Sequence, residues 1–136
     1  MMITLCFYLE QQGATDAVPG PNLTEWLALK AEFGCELASI HWKHTVENAQ
    51  TAQVAQYPSP MQVYSNNPEA THVFISEGAE TEFADLPTPT GDVVYYIGRN
   101  SRGFRNDLID FEGLTFANLP GGDLWAHEAA RAVLET

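Results

Sequence analysis

Compact apolar runs of strand length, spaced by helix-period segments, constrain this chain more than any other feature. Residues 3–9 (ITLCFYL), 35–42 (CELASIHW), 72–76 (HVFIS) and 93–97 (VVYYI) are the clearest runs. Strands buried on both faces of a parallel sheet carry unbroken apolar blocks of this kind, because neither face meets water. Parallel neighbours cannot be joined by a tight turn and need a crossover, usually a helix. Between the first two runs, Asn22 is placed to cap a helix, with Glu25 three residues on, as a capping box requires. Leu23, Trp26, Leu27 and Ala31 give that helix one apolar stripe, and Gly34 is placed to close it in the left-handed conformation. Residues 45–56 read as a second helix stopped by Pro58 and Pro60, and residues 61–64 as a short strand. A brief helix over 106–111 and a last strand over 114–117 follow. Asp123 then caps a final helix with the stripe Ala126, Ala129, Ala130, Val133 and Leu134. This order predicts one α/β domain over residues 1–136, a parallel sheet with helices on both faces.

A chain of 136 residues, 45% hydrophobic and 18% charged, is large enough to bury one core and too apolar to be disordered. No apolar run reaches the roughly 18–20 residues that span a bilayer. Residues 1–8 lack a basic start and a small-residue cleavage site, so they read as a first strand, with the cytoplasm as the expected compartment. Cys6 and Cys35 lie in apolar segments and are expected as buried free thiols. No spacing of Cys or His resembles a zinc site, and no metal is expected. His127 and Glu128 make only half of a helical zinc motif and fit an exposed helix face better. Glu77, Glu80, Glu82 and Asp85 belong to an acidic, proline-bearing surface excursion over 77–90 and read as a solvated loop. Ser101 lacks a GxSxG frame, and neither GxGxxG nor GxxxxGK[ST] occurs, which removes support for a serine hydrolase or a nucleotide-phosphate loop.

Charge is distributed unevenly. Six Lys and Arg stand against eighteen Asp and Glu, a net charge of −12, so most of the surface repels a nucleic-acid duplex. Arg99, Arg102 and Arg105, half of all the cations, follow the 93–97 run directly, in a loop hinged at Gly98. In an open α/β sheet, ligands bind beyond the carboxyl ends of strands. The loop is therefore a place for an anionic ligand, or else a surface turn with arginines for solubility.

Three segments carry a family resemblance. Asn22 opens a helix ending at Phe33-Gly34, before Cys35-Glu36-Leu37. The 93–97 run leads into a loop with Gly98 and Arg102-Gly103-Phe104. A strand, a Pro120-Gly121-Gly122 turn and a helix close the chain over 117–130. Together they resemble the three ordered motifs of the SPOUT class of S-adenosylmethionine-dependent methyltransferases, in particular the branch that methylates ribose 2′-hydroxyls of tRNA and rRNA. The resemblance implies a C-terminal trefoil knot, contrary to the general rule against knotted chains. It also implies a homodimer built on the first and last helices, for which the alanine stripe is suited, and S-adenosylmethionine held in the knot largely by backbone groups. The matching cofactor positions are Ser76 and Glu77, then Gly98, Arg99 and Gly103, then Ala117, Leu119 and Leu124.

Several positions depart from the family pattern. Ala28 stands where an arginine is expected, Asn100 where an acidic residue is expected, and Asp123 and Trp125 where Ser and Asn are expected. Asn22, Asn100 and Arg102 remain as candidates at the reaction centre, Arg102 to orient phosphate and ribose hydroxyl together. Arg99 or Arg105 could supply the missing guanidinium, and the Arg99/Arg102/Arg105 loop is the expected RNA contact. The expected activity is ribose 2′-O-methylation of RNA. The alternative is a catalytically impaired domain of the same fold that binds a basic protein partner through its acidic surface, or mimics nucleic acid.

Overall fold

The computed structural model describes residues 2–8, 23–40, 54–76, 79–97, 115–119 and 126–135. The strands are β1 (Ile3–Tyr8), β2 (Glu36–Ile40), β3 (Ala55–Tyr57), β4 (Thr71–Ile75), β5 (Val93–Ile97) and β6 (Thr115–Ala117). Among the described residues the helices are α1 (Leu23–Phe33), α2 (Pro60–Asn66) and α3 (Ala126–Leu134), with one 3-10 turn at Phe83–Asp85. All six strands join one parallel sheet in the order β3-β2-β1-β5-β4-β6. The chain builds outward from β1 to β3 and then crosses to the other side, where β5 enters between β1 and β4. The order therefore reverses at the β1–β5 pair, held in register from Ile3↔Val93 to Phe7↔Ile97.

Strand alternation explains why both the odd and the even positions are apolar. Successive side chains leave a strand on opposite faces. Leu5, Phe7, Val73, Ile75, Val93, Tyr95 and Ile97 pack with α1 and α3 on one face. Cys6, Ala38, Ile40, Phe74, Val94 and Tyr96 pack with Val63 of α2 on the other. Every residue of β5 is buried, as the central strand of such a sheet requires. Phe7 stacks on Trp26 at 3.9 Å between centroids and ties the sheet to α1, while Phe74 stacks on its register partner Tyr96 at 4.0 Å across β4 and β5. Cys6 and Cys35 are free, buried and on opposite faces; burial pushes both thiols up, which makes them poor nucleophiles.

Helix α1 begins at Leu23, and Gly34 follows it with φ +68° while its N–H donates to the Lys30 carbonyl at 2.9 Å, the expected left-handed stop. Its buried stripe is Trp26 and Leu29 with Phe33 partly covered; Ala31, expected in that stripe, is exposed. Residues 61–64 are helical, not a strand. Ser59 caps α2 by accepting from the Gln62 N–H, and Pro60 sits at the first helical position, where its missing N–H costs nothing. Pro60 thus starts a helix, while residues 45–53 of the expected second helix lie outside the described residues. Ala55 and Gln56, expected as the end of a helix, form edge strand β3, and Ser39 donates its hydroxyl to the Ala55 carbonyl at 3.0 Å. The excursion after β4 is not wholly solvated either, because Ala79 and Phe83 are buried and Phe83 meets Tyr95 edge-on.

Ala129, Ala130 and Val133 of α3 face the protomer's own core, where α3 packs on α1 and β5. The alanine stripe is thereby accounted for within one chain and does not speak for a dimer. Arg131 joins the two helices through Glu32 at 2.7 Å and lies 5.6 Å from the Phe33 ring. That hydrogen bond holds the Glu32 carboxyl below its usual range. No helix among the described residues is long and apolar enough to cross a membrane. The knot expected from the resemblance belongs to the C-terminal part of the chain, where residues 98–114 and 120–125 lie outside the described residues.

Candidate active site at the carboxyl edge of the sheet

Because the strands are parallel, β1, β5, β4 and β6 all end on one edge, and the strand order reverses there. Neighbouring crossovers run in opposite directions at such a point and leave a crevice between the strand ends. Ser76, Ala117 and Leu119, three of the expected cofactor positions, lie together at this edge. Ser76 is fully buried, donates its N–H to the Ala117 carbonyl at 2.9 Å and accepts at its own carbonyl from Ala79 N–H at 3.2 Å. Ala117 is fully buried and ends β6 beside Ile75. Leu119 is partly buried against the α1/α3 core. Among the described residues its N–H and C=O have no hydrogen-bond partner.

The remaining candidates, Asn22, Asn100 and Arg102 for catalysis and Glu77, Gly98, Arg99, Gly103 and Leu124 for the cofactor, lie outside the described residues, as does Arg105. Chain connectivity puts Gly98 directly after the last residue of β5, and Glu77 directly after Ser76. Ala28, the departure within α1, is exposed.

The exit of β6 has a second partner that sequence reasoning missed. Asn118 donates its N–H to the Thr81 carbonyl at 2.8 Å, and its carbonyl accepts from Phe83 N–H at 2.9 Å. Its side-chain amide donates to both carboxylate oxygens of Glu82 at 3.1 Å. Residues 117–118 therefore run between the extension of β4 and the 81–83 segment. No local pattern signals this contact, since 36 residues separate Glu82 from Asn118.

Two other features lie away from the crevice. A largely apolar groove of about 420 Å³ lies at the opposite, amino end of the strands, where Ile3, Thr71, Val93 and Thr115 begin them. On the α2 face, His72 is held by two hydrogen bonds. A carbonyl can only accept, so Nε2–H donates to the Asn67 carbonyl at 2.9 Å and Nδ1 accepts from the Tyr96 hydroxyl at 2.7 Å. Tyr64 covers the ring at 4.3 Å. Burial lowers the His72 pKa, and the Asn67 bond pulls weakly the other way. Burial likewise pushes the Tyr96 hydroxyl well up, so it stays a donor.

This arrangement has a pH consequence. The unfolded chain binds a proton at His72 more readily than the fold does, so stability is full above the ordinary histidine pKa of about 6.5 and falls as pH drops below it. Urea midpoints compared near neutrality and near pH 5 should show this loss, and His72→Gln should shrink the difference.

No protein-family model and no curated protein matches the sequence. Solved structures do. One, described as a "putative RNA methyltransferase" from Bacillus anthracis, matches with a TM-score of 0.71 at 13% identity, over 98% of this chain and 90% of that one. Another, described as giving insight into 2-OH methylation of C/U34 on tRNA, matches with a TM-score of 0.67 at 15% identity, over 98% of this chain and 87% of that one. At these identities the likeness is one of fold. The parallel α/β sheet expected from the sequence is the architecture the chain has, and it is shared with these structures.

Proposed function

We propose that this chain is an S-adenosylmethionine-dependent methyltransferase that acts on RNA at ribose 2′-hydroxyls. The observation that carries the proposal is the meeting of Ser76, Ala117 and Leu119 at the carboxyl ends of β4 and β6, in a fold shared with structures described as concerning RNA methylation. The residues present fit a nucleoside cofactor. Ser76 is a buried polar residue at the strand ends, and the Leu119 N–H and C=O lack partners among the described residues. Backbone donors and acceptors beside apolar side chains suit the edge of a base.

When bound, the cofactor supplies an electrophilic methyl group. The protein's task is then alignment, which by itself accounts for a large share of rate enhancement. Gly98, Arg99 and Gly103, with Glu77 and Leu124, are assigned to the cofactor on the family pattern. Arg102 orients the ribose hydroxyl and an adjacent phosphate, with Asn22 and Asn100 as further hydrogen-bonding groups. The arginines following β5 are the cations of an otherwise acidic protein that can meet the RNA backbone. A homodimer and a threaded C-terminal segment belong to the same reading.

Calorimetric titration with S-adenosylhomocysteine tests the proposal. Binding is expected, and a flat titration at millimolar ligand would end it. Labelled methyl transfer to a tRNA pool, followed by nucleoside digestion, should place the label on ribose. One observation favours a second reading, a non-catalytic domain that binds a basic protein. Both cations among the described residues, Lys30 and Arg131, lie beside carboxylates, and Ala28 exposes no arginine. That reading expects cofactor binding without transfer to any RNA.

A further inference from the structure

We propose that Glu82 is a positioning residue that acts through Asn118 to set how β6 presents its exit to the cofactor. The inference rests on the methyltransferase reading but invokes residues outside the sequence motifs. Its basis is strand phase. In an extended chain, N–H and C=O groups of successive residues point to alternate sides. The Ala117 carbonyl points to β4, where it meets Ser76 N–H, and both backbone groups of Asn118 point away, to Thr81 and Phe83. Continuing that phase turns the N–H and C=O of Leu119 back toward the side of β4. There the chain has already turned off, since the Ser76 carbonyl is used by Ala79 N–H. The donor and acceptor of Leu119 thus face the β4 side of the carboxyl edge, beyond Ser76.

The 81–83 segment acts as an outer rail that fixes this phase. Glu82 pairs with Asn118 as an isolated parallel bridge, and its carboxylate takes both amide contacts at 3.1 Å. Phe83 anchors the rail, buried 5.7 Å from the Tyr95 ring. Without the carboxylate, residues 118–119 lose the side-chain half of that hold while the core beneath is unchanged. The effect expected is on ligand affinity, not on folding.

The test compares Glu82→Ala, Glu82→Gln and Asn118→Asp with the parent chain, using S-adenosylhomocysteine calorimetry, thermal unfolding and amide exchange at residues 118–119. Glu82→Ala should weaken binding about fivefold, the worth of one ordinary hydrogen bond, with faster exchange at Asn118 and a little-changed unfolding temperature. Glu82→Gln keeps an acceptor and should bind like the parent. Asn118→Asp sets two carboxylates against each other and should weaken binding further, with recovery as ionic strength rises. Equal affinity and equal exchange in Glu82→Ala would overturn the positioning role while leaving the methyltransferase reading intact. Weaker binding in step with a lowered unfolding temperature would overturn it in favour of a merely structural contact. If the parent chain itself fails to bind, the methyltransferase reading fails, and the cofactor role of Glu82 fails with it; unchanged exchange in Glu82→Ala would then remove the rail as well.

Discussion

Trp26→Ala is expected to lower stability by about 3–5 kcal/mol, the range for removing a large buried aromatic. Trp26 is fully buried, stacks on Phe7 with an interplanar angle of 9°, and joins α1 to the central strands. Its loss would leave a cavity under β1 that the packed sheet cannot close, at a cost near half the total stability of an ordinary domain. Trp26→Phe should cost much less. It keeps the stack and removes an indole N–H that has no partner among the described residues. Guanidinium unfolding followed by circular dichroism measures both, and a loss below about 1 kcal/mol for the alanine variant would contradict this packing.

The second large effect concerns chemistry. Arg102→Ala is expected to reduce methyl transfer about 10²- to 10⁴-fold, the usual range when a group that steers a proton or orients the nucleophile is removed. Cofactor affinity should stay within about twofold, because Arg102 is assigned to the RNA side of the reaction. Arg102→Lys should not rescue it, since an ammonium lacks the planar fork that can hold a phosphate and a hydroxyl together. Single-turnover transfer under saturating cofactor separates the two steps. Retention of more than about a tenth of the parent rate would remove Arg102 from the reaction centre.

The sheet was legible because its strands are buried on both faces. The runs around β1, β4 and β5 stand out without any periodicity analysis, and Gly34 marks the end of α1 by a conformation that glycine adopts freely. What escaped was short or non-local. β3 is a three-residue edge strand with no buried side chain, so Ala55 and Gln56 carry no apolar signal. At the start of α2, Pro60 reads as a terminator until Ser59 is seen as a cap. Phe83 looked like one apolar residue in an acidic loop, and only the fold shows it resting on Tyr95. The grouping of Ser76 with Ala117 came from ordered motifs, because a main-chain bond between residues 41 apart (117 − 76) leaves no trace in composition or period. The Glu82–Asn118 contact had neither motif nor period behind it.

The place of β5 also governs how the chain can be made. Its partner β1 lies 90 residues earlier, as in the pairing of Ile3 with Val93, so at roughly 5–20 residues per second the ribosome takes about 5–20 s to deliver it. Until then one flank of β1, carrying Leu5, Cys6 and Phe7, has its hydrogen-bonding groups open, and β4 emerges with no neighbour to receive it. A half-synthesised chain is thus sticky along its future midline, which makes the interval before residue 93 the one in which a chaperone matters most.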